Sequence, residues 1–387
     1  MNDCRNYHWR IAGFYFFYYA FVGMFAPYWS LYLKSLQFSA VEIGVLMSMQ
    51  PLMRLVAPNI WGWLADYSGK RREVVIAAAS LSALFYLGVF FTTSFWGVLA
   101  VLLLMNFFWS ASMPLVEATT LSYLGKNTAH YGRIRSWGSV GFIVTVVGLG
   151  YAFDYVAIAW LLWAGLVCEI GILLFARQIP RTEVLAHHTD SQPIRQIVLQ
   201  PRVLALFGAC FLMSVAHGPY YTFYSIYLVE HGYAKSAVGG LWALGVICEI
   251  GVFFLMPRLV QRFGFVRILL FSLGAAVVRF VLIGWAVDVL VLILLAQVLH
   301  AATFGAYHAS SVGMVHEFFQ GRHQSKGQAL FGSITYGAGG MLGGFASGPI
   351  WQHWGATALY SCSAAAALLG LFLMASAGRR HWGMPQS

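Results

Sequence analysis

Eight ionisable side chains of this chain lie inside strongly apolar runs: Arg54, Glu117, Glu169, His217, Glu249, Arg279, His300 and His308. An ionised group at mid-bilayer depth costs roughly 2.5–3.5 kcal/mol on insertion scales, so each calls for a partner or a water-filled cavity. Glu249, Arg279 and His300 occupy three successive runs. At about 1.5 Å of helical rise per residue, the glutamate and the histidine lie about 18 Å in and the arginine about 8 Å in, within reach of its long side chain. Such a set can handle protons. Burial favours a neutral carboxyl, a neighbouring guanidinium favours an ionised one, and moving one relative to the other switches proton affinity. The competing reading is an ion pair that only neutralises itself and holds its half of the molecule together.

The other intramembrane charges divide by context. His300 and His308 are eight residues apart, roughly 80° around an α-helix, so they do not point equally well into one cavity. His308, in "YHAS" (Tyr307 to Ser310), is preferred for a proton or gating role, and Glu117 holds the matching place in "VEAT" (Val116 to Thr119). Arg54 sits between prolines in "QPLMRLVAPN" (Gln50 to Asn59). It reads either as a partner for Glu117 or Glu169 or as a planar fork for a substrate carboxylate. The tetrapeptide "CEIG" occurs twice. Its Glu249 copy is the functional candidate, and its Glu169 copy is expected to make a buried hydrogen bond within its own half. No close spacing of ligands points to a metal, and no cofactor is expected.

Elements that carry such groups must cross a membrane. Of 387 residues, 60% are hydrophobic and 9% charged, and the mean hydropathy is +0.71. Apolar stretches of about 20 residues recur throughout, each long enough to span a hydrocarbon core of roughly 30 Å as a helix. Twelve spans are expected, near residues 9–33, 40–65, 73–92, 95–123, 134–153, 157–176, 202–229, 237–257, 265–284, 288–317, 327–350 and 355–377. The first is too long for a signal-peptide core and is expected to remain. The fold class is therefore an all-α membrane protein.

With the N-terminus inside, 19 of the 23 Lys and Arg residues fall on the cytoplasmic side, Lys34 and Lys235 outside, and Arg54 and Arg279 within spans. Both termini are thus expected in the cytoplasm. The net charge of +10 reads as a topology signal and an attraction to anionic lipid, with no stripe that would bind nucleic acid. Cys168, Cys210, Cys248 and Cys362 lie in expected spans and Cys4 outside them, so the cysteines read as small core residues rather than disulfides.

The polar stretch at 177–201 divides the chain into two six-helix halves, 1–176 and 202–387. "YWSLYL" (Tyr28 to Leu33) is answered by "FYSIYL" (Phe223 to Leu228), each followed by "SAV", and "SWGS" (Ser136 to Ser139) by "LFGS" (Leu330 to Ser333). Ordered matches at one offset argue for a duplicated unit, the plan of two pseudo-symmetric bundles.

"GWLADYSGKRR" (Gly62 to Arg72) resembles the loop signature of the major facilitator superfamily. "YGRIRSWGSVGF" (Tyr131 to Phe142), "AHGPYYTFYSIY" (Ala216 to Tyr227) and "LHAATFGAYHAS" (Leu299 to Ser310) resemble the phenylpropionic acid transporter group, which is related to nucleoside symporters and the lactose permease. The resemblance implies a proton-coupled importer working by alternating access in the cell inner membrane, and a proton-handling role for Glu249, Arg279 and His300. The expected solute is an aromatic carboxylate such as 3-phenylpropionate, with a nucleoside or sugar as the main alternative. Export is disfavoured because span five lacks the glycine-proline signature of exporters.

Spans one and seven are rich in aromatics, most of them expected to pack or to anchor at the interface. The "HGPYY" break, with Gly218 and Pro219, is expected to loosen span seven, which makes His217, Tyr220 and Tyr221 substrate candidates, with Tyr28 and Trp29 in the other half. Gly62, Asp66, Gly69, Arg71 and Arg72 of the loop signature, with Arg133 and Arg135, are gating candidates. Asp66 would take hydrogen bonds at a helix N-terminus and pair with Arg71 or Arg72. Gly337, Gly340, Gly344 and Gly348 form small-residue faces in span eleven. No P-loop or nucleophile elbow is present, so the chain reads as a monomeric carrier of small molecules and protons rather than an enzyme.

Overall fold

The computed structural model describes residues 2–125, 130–181 and 194–381. Lys126, residues 182–193 of the linker and the side chains of Cys4, Arg5, Arg322, Arg379 and Arg380 lie outside the described residues.

Among the described residues, ten helices are long and apolar enough to cross a membrane. Two of these are double. Lys235–Trp285 turns at Gly264, where φ is 74°, and Gly340–His381 contains a like turn at Gly355, where φ is 75°. A side chain is strained at such angles and glycine is not, so each marks a tight connection between two spans. The twelve spans are α1 (Asn2–Ser35), α2 (Ala40–Ser68), α3 (Arg71–Phe90), α4 (Phe95–Leu124), α5 (Tyr131–Phe153), α6 (Ile158–Ala176), α7 (Pro201–Glu230), α8 (235–263), α9 (265–285), α10 (Leu290–Phe318), α11 (324–354) and α12 (356–377). This is the major facilitator architecture.

Contacts separate the chain into two compact units, Met1–His188 with Tyr233–Ala243, and Thr189–Gly232 with Leu244–Ser387. The helix starts explain how the short segment 233–243 comes to belong to the first unit. In the first repeat Ser39 and Glu42 form a reciprocal capping box, which satisfies two orphan N–H groups at the start of α2. At the second "SAV" the glutamate position is Gly239. No box can form there, and Asp154, just past the end of α5, accepts the N–H of Lys235 at 2.8 Å and of Ser236 at 3.3 Å instead.

Within the first unit α1 packs on α5 and α6, α4 on α2 and α3, and α3 on α6. Its core is aromatic: Tyr18 stacks on Trp109 at 4.2 Å, and the Tyr86 hydroxyl donates to the Leu162 carbonyl. Within the second unit α7 packs along α11 and α12. Gly218 does not loosen α7, which is continuous around Pro219. It lets the helices touch, since a Cβ at 218 would run into the Gly343 backbone. The close contacts of α11 run through Gly339 and Gly343, the latter one place before the expected Gly344.

Candidate functional site

The second unit buries a polar cluster built from α7, α8, α9 and α10. Arg279 is fully buried. Its Nε donates to the Ala296 carbonyl at 3.0 Å, and its Nη1 donates to Thr303 Oγ1 and lies against His217 Nε2, both at 3.2 Å. The guanidinium also covers the Tyr220 ring, 4.2 Å from the centroid. His217 Nδ1 faces the Met213 carbonyl at 2.8 Å. A carbonyl only accepts, so Nδ1 carries the hydrogen and Nε2 accepts from the arginine, which assigns the neutral tautomer from the network. Tyr220 donates to Gln297 Oε1, and Gln297 Nε2 donates to Tyr224.

The carboxyl of this cluster faces a histidine. Glu249 Oε2 lies 3.9 Å from His300 Nε2, and the two side chains are 15% and 7% exposed. Gly305 makes room for this approach, for a Cβ there would lie 3.0 Å from Glu249 Cγ. The hydrogen bonds of Arg279 go to His217, Thr303 and Ala296 rather than to Glu249, whose carboxyl approaches His300. Arg279 Nη2 and His300 Nδ1 are buried without a hydrogen-bond partner.

Helix α10 departs from α geometry where it matters. Residues Ala301–Ala306 form a π-helical turn directly after His300, a feature that recurs at functional sites. The extra residue in the turn cancels the rotation expected between His300 and His308. His300 stacks on Phe304 with planes 11° apart, and Phe304 on His308 with planes 8° apart. The two histidines therefore lie along one face, which corrects the α-helical estimate. A second π turn, Ser333–Gly339 in α11, carries Tyr336, whose hydroxyl lies 2.8 Å from His308 Nδ1.

The first unit holds its own charged cluster. Glu117 Oε1 accepts from the Tyr131 hydroxyl at 3.2 Å and lies 3.8 Å from Arg135 Nε. Arg135 also donates to Tyr19 and lies over its ring, 4.1 Å from the centroid. Both members of the ion pair are partly open, 38% and 30% exposed. Thus α4 and α5 are joined through Glu117, and their repeat counterparts α10 and α11 through His308.

Other residues singled out in the sequence are placed elsewhere. Glu169 is fully buried and accepts from Ser82 Oγ at 3.1 Å, inside the first unit. Arg54 is exposed, close enough to Tyr18 to act on it electrostatically, and pairs with neither glutamate. Tyr28 and Trp29 are fully buried; the Tyr28 hydroxyl donates to the Val146 carbonyl at 2.6 Å, and Trp29 stacks on Phe25. Tyr221 is partly open, beside Tyr220. In the loop signature, Asp66 and Arg71 approach to 4.0 Å, Arg72 donates to the Arg177 carbonyl, Gly69 ends α2 with φ of 63°, and a Cβ at Gly62 would meet nothing within 4 Å. Arg133 is exposed on α5.

Sequence reasoning missed Gln297 and Thr303, both fully buried. Polar residues in "LLAQVLHAAT" (Leu294 to Thr303) were the available signal, but neutral amides and hydroxyls inside spans are common enough to pass unnoticed.

Twelve spans in the major facilitator arrangement, with ionisable clusters inside them, define a multi-pass membrane transporter of small molecules. The chain belongs to the MFS_1 like family, whose model matches residues 8–362. It is 29% identical over 367 residues to the probable 3-phenylpropionic acid transporter of Escherichia coli (strain K12), covering 91% of this chain and 93% of that one. It is 25% identical to the maltose permease of Geobacillus stearothermophilus, covering 95% and 94%. The crystal structure of the nucleoside transporter NupG superposes with a TM-score of 0.80 at 16% identity, covering 96% of this chain and 98% of that one.

Proposed function

We propose that this transporter is a proton symporter of the cell inner membrane, importing a small aromatic carboxylate of the 3-phenylpropionate type by alternating access. The observation that carries the reading is the Glu249–His300 contact, 3.9 Å long, in the same polar cluster as the fully buried Arg279 guanidinium. Closing that gap by about an ångström would bring the carboxyl and the imidazole to the distance at which a proton passes between them. The fixed cation nearby makes the proton's location depend on how far the helices stand apart. The 29% identity to the probable 3-phenylpropionic acid transporter supports the solute class, as do the partly open Arg135 and the aromatic rings around both arginines, which suit a planar anion. A sugar is the second reading, favoured by the maltose permease match over 95% of the chain.

The test is uptake of radiolabelled 3-phenylpropionate, a nucleoside and a disaccharide into vesicles with an imposed pH gradient. Accumulation of 3-phenylpropionate alone, collapsing when a protonophore removes the gradient, supports the proposal. Uptake of the disaccharide or the nucleoside alone moves the solute class, and gradient-independent uptake removes the coupling.

A further inference from the structure

The loop signature does more than connect α2 to α3. A pocket of about 480 Å³ opens there, lined by Gly69, Lys70, Arg71, Arg72, Glu73 and Arg181. Four cations face one carboxylate. The existing partners leave capacity over: Arg71 reaches Asp66 only at 4.0 Å, Arg181 holds Glu73 at 3.0 Å, and Arg72 spends one nitrogen on the Arg177 carbonyl. The Nε atoms of Arg71 and Arg72 are buried and have no hydrogen-bond partner. Helix α3 begins at this point, and the side chain of its N-cap residue, Lys70, makes no capping bond. Its first N–H groups and its dipole therefore favour a negative charge in the same place.

We infer that this pocket is a binding site for a phosphate-bearing anion, separate from the transported solute and independent of the transport reading. Arginine forks match phosphate oxygens two at a time, and the surplus of cations exceeds what one carboxylate of a solute would need. The volume is larger than a lone phosphate requires and lies within the roughly 300–1,000 Å³ of small-ligand pockets, which leaves room for the group esterified to the phosphate. Trp63 and Tyr67 stack on each other within the last two turns of α2 and stay 64% and 80% exposed. Such rings mark headgroup depth, where the phosphate can come from an anionic lipid or from a soluble phosphate ester.

The full-length protein in nanodiscs tests this with the double variant Lys70→Gln/Arg181→Gln against the control Arg195→Gln, an exposed cation outside the pocket. Lys70 and Arg181 are exposed, and a melting curve verifies that the variants fold. One arm counts phosphatidylglycerol retained from mixed phosphatidylcholine nanodiscs by native mass spectrometry. The other measures glycerol 3-phosphate binding by equilibrium dialysis in pure phosphatidylcholine nanodiscs. Each cation near a phosphate surface is worth about fivefold, so the double variant should bind about 25-fold more weakly while the control loses much less. That loss in the phosphatidylglycerol arm identifies a lipid headgroup, and in the glycerol 3-phosphate arm a soluble ester. If neither probe binds the double variant more weakly than the control, the site does not exist.

Discussion

Replacing Glu249 by glutamine removes one titrating group and keeps the shape. At 3.9 Å, a proton placed on His300 opposite an ionised Glu249 would be attracted by ~4 kcal/mol at an effective dielectric of about 20, a gain offset in the resting protein by the cost of desolvating both charges. A pH gradient of one unit supplies about 1.4 kcal/mol per proton, enough for roughly tenfold accumulation when one proton accompanies each solute. The local interaction is thus about three times the driving force it must transmit, and a neutral amide cannot transmit it. In proteoliposomes alkaline inside by one unit, the unmodified protein should accumulate solute about tenfold per coupled proton, and Glu249→Gln should level off at a ratio of about one. Exchange of labelled for unlabelled solute at equal concentrations should persist. Because the glutamate is partly exposed and its contact is longer than a hydrogen bond, the variant should melt within about 1 kcal/mol of the original. Retained accumulation would refute the coupling argument. Loss of exchange in a folded variant would make Glu249 a solute contact instead.

Gly305→Ala places a methyl carbon 3.0 Å from Glu249 Cγ, so it should displace the carboxyl from His300 and lower gradient-driven accumulation, with little change in melting temperature; unchanged accumulation would show that the contact is dispensable. The Asp154 carboxyl is held below its ordinary 3.8 by hydrogen bonds from the Ser236 side chain and the backbone of Ser236 and Lys235, helped by the Lys235 charge. A depressed value stabilises the folded chain above the ordinary one and loses that effect as pH falls through the lower one. Asp154→Ala should therefore cost about 0.5–2 kcal/mol at neutral pH, as a lost helix cap does. The gap between unmodified and Asp154→Ala melting temperatures should hold steady down to pH 3.8 and narrow below it; a gap that widens in acid would overturn the assignment.

Hydropathy placed all twelve spans, because membrane insertion responds to the apolar content of about 20 residues at a time, a property summed along the chain. Their places on spans six and eight, with what the family resemblance implies for those spans, separated the two "CEIG" glutamates: Glu169 is buried against Ser82, and Glu249 lies in the polar cluster. Residue type alone flagged Glu117, His217, Arg279 and His300, since charge is costly in an apolar run wherever the run ends up, whereas Arg135 entered as a gating candidate and Tyr220 through the break at Gly218 and Pro219.

Which of these meet was decided by helix rotation and packing. Glu117 and Arg135, given separate roles from the sequence, form one ion pair. Arg279 contacts His217 rather than Glu249, and Tyr28 and Trp29 turn inward to a carbonyl and a ring. The π turn after His300 breaks the fixed phase on which any helical-wheel estimate depends, and so brings His308 into line. Local composition is enough to say that a segment crosses and what it carries. Partnership is set by ångström-scale contacts among side chains from several helices, and those contacts come from packing that no single stretch of sequence contains.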